Sequence, residues 1–253
     1  MMKRSLIGVV VVALALIGIG CDSKVTLEAP TGVATTAIND GGTLHLSWEA
    51  VEGAESYEIK ADDTTYAATS TSIDISVPAT KIEVRAVKGT TKGDSAVVSI
   101  KIVETTVECF GDLSPTHDNG FSFGENGGAV GCTLKYPSQS GMDFYAQLGA
   151  GDTMRLVAGG TVNVNRMGNQ LKAASGSYDD ITIADPLGTY SKSSVVILAD
   201  STYYLRISAD TDTTTTWSTE NKFAKAKVVS IDSAKVTLNL GYQKVGGLRW
   251  LVK

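Results

Sequence analysis

The sequence of 253 residues lacks the local motifs that mark the common enzyme and metal sites. It contains no calcium-binding loop, no HExxH zinc motif, no phosphate-binding Walker loop and no GxSxG nucleophile elbow. These absences remove the usual reasons to propose an enzyme. We therefore predict a protein without catalytic residues, metal ligands or cofactors.

Histidine is scarce, since the chain has only His45 and His117. His117 lies between Asp112 and Asp118, a pattern that permits either a small metal or catalytic site or an ordinary polar turn. His45 alternates outward from the apolar residues around it and is expected to be solvated.

Several acidic residues occur in pairs, namely Asp62-Asp63, Asp179-Asp180 and Asp210 with Asp212. A glycosidase needs two carboxylates at a set distance across a cleft, which spacing along a sequence does not establish. We expect these pairs to lie in solvated loops.

Positive charge is neither in excess nor clustered. The net charge is −5, and removal of Lys3 and Arg4 with a leader would make it more negative. Nucleic acids and anionic lipid headgroups both need concentrated positive charge, so neither is expected as the main partner.

Long apolar runs are absent except at the start, where residues 6–19 follow Lys3 and Arg4 and precede Gly20-Cys21. The run is short for a membrane span and typical of a secretory signal, predicted over 1–20. It resembles a bacterial lipoprotein signal, although glycine replaces the usual leucine three positions before the cysteine. The resemblance implies lipidation of Cys21, a tether over 21–29, and a lipid anchor in the bacterial cell envelope, on the periplasmic side or at the surface. The alternative is an ordinary signal peptide with an incidental cysteine.

Cysteine is limited to three residues. With Cys21 lipidated, Cys109 and Cys132 remain as an even pair in an oxidising compartment, and we predict a disulfide between them. Such a bridge would stabilise the fold by ~3 kcal/mol. The alternative, a metal pair or a reactive thiol, lacks further ligands at suitable spacing.

The remaining composition is rich in Thr, Ser, Val and Gly, which favours β structure. Short alternating segments such as 44–48, 73–77 and 82–86 are separated by turn residues and predict an antiparallel sandwich over 30–104. Pro30, the Leu-Ser-Trp segment ending at Trp48, and the segment 53–59 containing Tyr57 resemble a fibronectin type III domain. The resemblance implies that Trp48 and Tyr57 are core residues, and it implies a spacer or binding module. Ile82 departs from the pattern, because a tyrosine is usual there.

Residues 105–253 are predicted to form a larger antiparallel β-sandwich domain, closed by a strand with Val236, Leu238, Leu240 and Tyr242 on one face. A short helix is a further hypothesis for 163–174. Short motifs around 121–124, 143–145, 184–186, 203–206, 223–228 and 241–243 resemble the β-sandwich of HmuY-like lipoproteins. Members of that family that bind haem use two histidines, and this segment has only His117.

One loop, 208–221, places the large aromatic Trp217 in a polar stretch. Exposed aromatic residues on loops are platforms for sugars or protein partners, so Trp217 is the candidate ligand-binding residue. The alternative is that Trp217 folds back over a sandwich edge. The function predicted is a non-catalytic binding or adhesion module for a carbohydrate, an envelope polymer or a protein. A glycan-active hydrolase and a small-ligand or haem-type scavenger are the alternatives.

Overall fold

The computed structural model describes residues 26–112, 114, 116–123, 142–159, 169–185, 190–191, 194–208 and 217–253, with the backbone alone of 132–135. These residues form four antiparallel sheets, and the prediction of an all-β sandwich fold is confirmed. Within these ranges no helix is both long and apolar enough to cross a membrane. The predicted leader and Cys21 lie outside the described residues.

Seven strands form the first sandwich: β1 Ala34–Ile38, β2 Thr43–Ser47, β3 Ser56–Ala61, β4 Thr64–Ala68, β5 Ser72–Ile75, β6 Lys81–Lys88 and β7 Thr91–Ser99. They divide into a three-stranded sheet of order β1-β2-β5 and a four-stranded sheet of order β4-β3-β6-β7. Alternate residues of both sheets point inward, as in β6, where Ile82, Val84 and Ala86 are fully buried. The two sheets therefore share one core.

Trp48 and Tyr57 are both core residues, as expected from the sequence. Each is 5% exposed, and their rings meet edge to face with centroids 5.2 Å apart. The Tyr57 hydroxyl also accepts a hydrogen bond from the backbone nitrogen of Val51 at 2.9 Å, which fixes the turn before β3.

Within the described residues, the second sandwich has ten strands: β8 Val103–Phe110, β9 Gly120–Phe123, β10 Cys132–Lys135, β11 Phe144–Leu148, β12 Met154–Ala158, β13 Gln170–Ala173, β14 Ser194–Val196, β15 Thr202–Ile207, β16 Lys222–Asp232 and β17 Lys235–Tyr242. One sheet has the order β10-β9-β11-β12-β14 and the other the order β13-β15-β16-β17-β8. The predicted apolar face of β17 is confirmed, because Val236, Leu238, Leu240 and Tyr242 are all buried.

A third layer covers part of the outer face of the β13-β15-β16-β17-β8 sheet. It consists of segments 174–185 and 245–253, which bond to one another through Ala184 N to Arg249 O at 2.8 Å and Leu251 N to Thr182 O at 2.7 Å. Apolar side chains beneath it form a small separate cluster made by Ile102, Ile181, Ala184, Tyr204, Phe223 and Leu251. We call this pair of segments the covering layer.

The covering layer also joins the two sandwiches. Leu248 and Trp250 are fully buried and belong to the core of the first sandwich. The Trp250 indole nitrogen donates to the carbonyl of Gly42 at 3.1 Å, and the Arg249 side-chain Nε donates to the carbonyl of Asp40 at 2.7 Å. The turn between β1 and β2 is thus held against the second sandwich.

That turn approaches the covering layer very closely at Gly41. A side chain there would meet the carbonyl oxygen of Gly247 at 2.1 Å, and Gly41 has a positive φ of 77°. Glycine is therefore required for the contact on both steric and conformational grounds.

Three local features differ from the sequence predictions. Strand β8 begins at Val103, before the predicted second segment, because it pairs along its whole length with β17. Leu27 lies within the predicted tether but is buried in the first core. The helix hypothesis for 163–174 is wrong over Gln170–Ala173, which pairs as a strand with β15, and 163–168 lie outside the described residues.

Candidate functional site

A polar groove of about 440 Å³ lies beside the covering layer, on the outer face of the second sandwich. We call it the Tyr178 groove, and its lining residues are Glu104, Thr105, Thr106, Tyr178, Asp179, Lys227, Asn239 and Lys253. The volume falls within the range of ligand sites, roughly 300–1,000 Å³.

The floor of the groove is a row of three side chains on adjacent strands. Lys227 on β16 is opposite Asn239 on β17, and Asn239 is opposite Thr106 on β8. Neighbouring strands are ~4.8 Å apart, so the row repeats a polar group at that interval. The Thr106 hydroxyl donates to Asn239 Oδ1 at 2.7 Å, which orients the amide.

The rim of the groove is a connected network of charges. The Tyr178 hydroxyl donates to Glu104 Oε1 at 3.1 Å, and the Lys253 ammonium lies 3.2 Å from that same oxygen. Lys253 also donates to Asp179 Oδ1 at 2.5 Å. This bond lowers the pKa of Asp179 and raises the pKa of Lys253, while burial and the Glu104 charge raise the pKa of Tyr178.

Lys225 lies directly beneath this rim and is fully buried. Its ammonium donates to the carbonyls of Tyr178 at 2.6 Å and Ile181 at 2.8 Å, and it lies 4.5 Å from the centre of the Tyr178 ring. The lysine therefore fastens the covering layer to the sheet. Burial, followed by repulsion from Lys253, lowers the pKa of Lys225 to about 8.

The lowered pKa predicts a pH-dependent contribution to stability. Between about pH 8 and the ordinary lysine value of 10.5, the unfolded chain holds a proton on Lys225 that the folded chain has lost. Stability from this residue therefore rises with pH across that window, by up to about 3 kcal/mol. We expect the free energy of unfolding, measured by urea titration, to rise from pH 7 to pH 10 by this amount more in wild type than in Lys225→Met. Lys222→Met, at a half-buried position of the same strand, should follow wild type, and parallel pH profiles for all three proteins would contradict the prediction.

A second polar cluster is buried at one end of the second sandwich. Asn169 Nδ2 donates to both the carbonyl and the carboxylate of Asp143 at 3.1 Å, and Asn169 Oδ1 accepts from the backbone nitrogen of Ser208 at 2.8 Å. The other Asp143 oxygen accepts from the backbone nitrogen of Phe123 at 2.7 Å. These bonds join four separate parts of the chain, so the role of the cluster is structural.

Arg206 on β15 is a further buried polar residue and is fully inaccessible to solvent. Its Nε and Nη2 donate to Asn221 Oδ1 at 3.1 and 2.9 Å, and its Nη1 donates to Gln170 Oε1 at 3.2 Å. A guanidinium in a dry interior needs such a fixed set of acceptors.

Trp217, the candidate ligand residue, lies at the junction of the sandwiches. It is half-buried, packs against the first core and the covering-layer cluster, and donates from Nε1 to the carbonyl of Gly247 at 2.7 Å. This is the geometry expected if the residue folds back over a sandwich edge. Trp217 is not among the residues that line the Tyr178 groove.

The two histidines each contact one aspartate. His117 Nδ1 lies 2.8 Å from Asp112 Oδ2, and the His117 ring stacks on the ring of Phe110. His45 Nδ1 lies 2.6 Å from Asp74 Oδ1 on the neighbouring strand. In the part of the chain that the structure describes, no group of three or more His, Cys, Asp or Glu side chains could hold a metal ion. The Asp112 to His117 segment has the bonds of a polar turn, including Ser114 N to Asp112 Oδ1 at 3.1 Å.

The cysteine pairing stays a prediction. Cys109 on β8 is fully buried in the second core, whereas the side chain of Cys132 on β10 lies outside the described residues. Among the side chains that are described, no disulfide is found. Asp210 and Asp212 also lie outside the described residues, while Asp62 accepts two backbone hydrogen bonds, from Thr80 and Lys81.

Sequence reasoning missed the Tyr178 groove. Asp179 was interpreted as part of a solvated acidic pair, and Tyr178 lies in a Ser-Gly-Ser-Tyr stretch without periodicity. One signal was present: Lys225 and Lys227 alternate with buried alanines in β16, so both lysines had to face the side of the sheet opposite the core.

No protein-family model matches the chain, and no curated protein matches it.

Proposed function

We propose that the protein is a lipid-anchored lipoprotein of the bacterial envelope, in which the first sandwich is a spacer and the second is a non-catalytic binding module. The spacer is proposed to be a fibronectin type III domain. Its three-plus-four arrangement of strands and the Trp48–Tyr57 core contact support that assignment.

The observation that carries the proposal is the position of Leu27 relative to the second sandwich. Leu27 lies beside Gly53, and its carbonyl accepts from Asp94 N, so it is at the end of the first sandwich where β3 begins. The second sandwich contacts the turn at Gly42, at the opposite end of strands β1 and β2. An anchor attached before Leu27 would therefore hold the second sandwich on the far side of the first.

The junction supports presentation in one fixed orientation. Leu248 and Trp250 are shared with the first core, and Gln243 Nε2 donates at 2.9 Å to the carbonyls of both Ile100 and Trp250. Buried apolar and hydrogen-bonded contacts of this kind oppose hinge motion between two modules.

The anchor is tested by expressing the full chain in a bacterium with labelled palmitate. We expect label to enter the wild-type protein and to be lost in Cys21→Ser, because the thiol is the proposed acylation site. Cys109→Ser serves as the matched control and should retain the label. Equal labelling of wild type and Cys21→Ser, or none in either with the protein in the cytosol, would contradict the proposal.

A further inference from the structure

We propose that the Tyr178 groove binds a neutral saccharide. This inference rests on the proposed function and names the ligand class and the site. The ligand-binding surface is then the sheet face formed by β8, β16 and β17, and not the loop around Trp217.

The charges of the groove point to an uncharged ligand. Its lining contains two carboxylates, Glu104 and Asp179, and two ammonium groups, Lys227 and Lys253. These cancel formally, and Lys253 bonds to both carboxylates. An anionic ligand would meet the carboxylates, and a cationic ligand would have to displace Lys253.

The unused hydrogen-bonding groups point to hydroxyls. Among the described residues, the Nδ2 of Asn239 has no acceptor, and the nearest carboxylate to Lys227 Nζ is Asp200 at 3.9 Å, beyond hydrogen-bond distance. Glu104 and Asp179 each use one oxygen in the rim network and retain a second. Sugar hydroxyls both donate and accept, so they match a surface that offers donors on its floor and acceptors on its rim.

The construction of the groove also suits this ligand class. The floor is part of a sheet and the rim is fastened from below by Lys225, so the polar groups are fixed before binding. Preorganised polar groups reduce the entropy lost when a ligand binds. A peptide partner would be expected to require apolar anchor pockets, whereas the floor presents a lysine, an asparagine and a threonine.

The experiment titrates the full chain in detergent micelles with cellotetraose, chitotetraose and maltotetraose, and follows backbone amide resonances by NMR. We expect at least one neutral tetrasaccharide to shift the resonances of Thr106, Lys227 and Asn239. Tetragalacturonic acid, the anionic counterpart, should shift them less at equal concentration.

Two variants assign the effect to the groove. Lys227→Ala and Asn239→Ala should each weaken binding by about tenfold, as expected for the loss of one polar contact. Lys235→Ala is the matched control, because it removes a lysine from the same hairpin near its opposite end, where Lys235 pairs with Glu108 at 3.2 Å. It should bind like wild type.

The outcomes separate this inference from the proposed function. Absence of shifts with all three neutral sugars, a stronger response to the anionic sugar, or equal effects of Lys227→Ala and Lys235→Ala would each overturn the saccharide site. Palmitate labelling would remain valid evidence for an anchored module in those cases. Sugar binding without acylation would instead leave the site standing and remove the anchor.

Discussion

Trp250→Ala is expected to lower the free energy of unfolding by about 4 kcal/mol, because a fully buried large aromatic leaves a cavity that its neighbours fill only in part. The change also removes the indole donor to the Gly42 carbonyl. Since the residue belongs to the first core but is carried by the second sandwich, its loss should weaken the junction more than either module.

Urea unfolding followed by circular dichroism and by hydrogen exchange measures this effect. Wild type should unfold in one transition, and Trp250→Ala should show two, with the first sandwich losing protection at lower urea. Trp250→Phe retains much of the packing and should cost about half as much. Val97→Ala, at a position 56% exposed on β7, is the surface control. A Trp250→Ala curve that superimposes on wild type would show that the junction contributes nothing.

Arg206→Met is expected to destabilise the second sandwich by about 3 kcal/mol. The replacement has similar length and fills the space, but it removes the Arg206 donors to Gln170 Oε1 and to Asn221 Oδ1, and the Asn221 oxygen keeps the backbone nitrogen of Ser218 as a donor. An acceptor deprived of a donor in a dry interior costs about 1–3 kcal/mol.

Thermal and urea unfolding of Arg206→Met should be compared with Arg155→Met. Arg155 is half-buried on β12 and donates to Ser194 Oγ at 3.0 Å, so its loss should cost less than about 1 kcal/mol. If the two variants are equally stable, the buried guanidinium is replaceable by an apolar side chain, as happens for some buried ion pairs.

The sequence patterns that succeeded are those in which neighbouring residues determine the outcome. Alternation in β6 and β17 placed Ile82, Val84, Val236 and Leu238 correctly, because the period of a strand is fixed by its own backbone. The core positions of Trp48 and of Tyr57 in β3 were also predicted correctly.

The features that sequence patterns do not predict depend on contacts between distant residues. Tyr178 gains its surroundings from Glu104, Lys225 and Lys253, which are brought to it by sheet pairing and by the covering layer. Trp217 lies in a polar stretch, and nothing local indicates that Gly247 would accept its indole hydrogen bond. Sequence could predict which side of β16 its lysines occupy, but not what would cover that side.

The segment that inserts Trp250 into the first core has a consequence for the order of folding during synthesis. Gly42 and Trp250 are 208 positions apart, so the ribosome must make nearly all of the second sandwich before the first can complete its interior. Contacts of such long range form late, since the intervening chain must first be brought together. The nascent first sandwich therefore lacks part of its core until translation is almost complete.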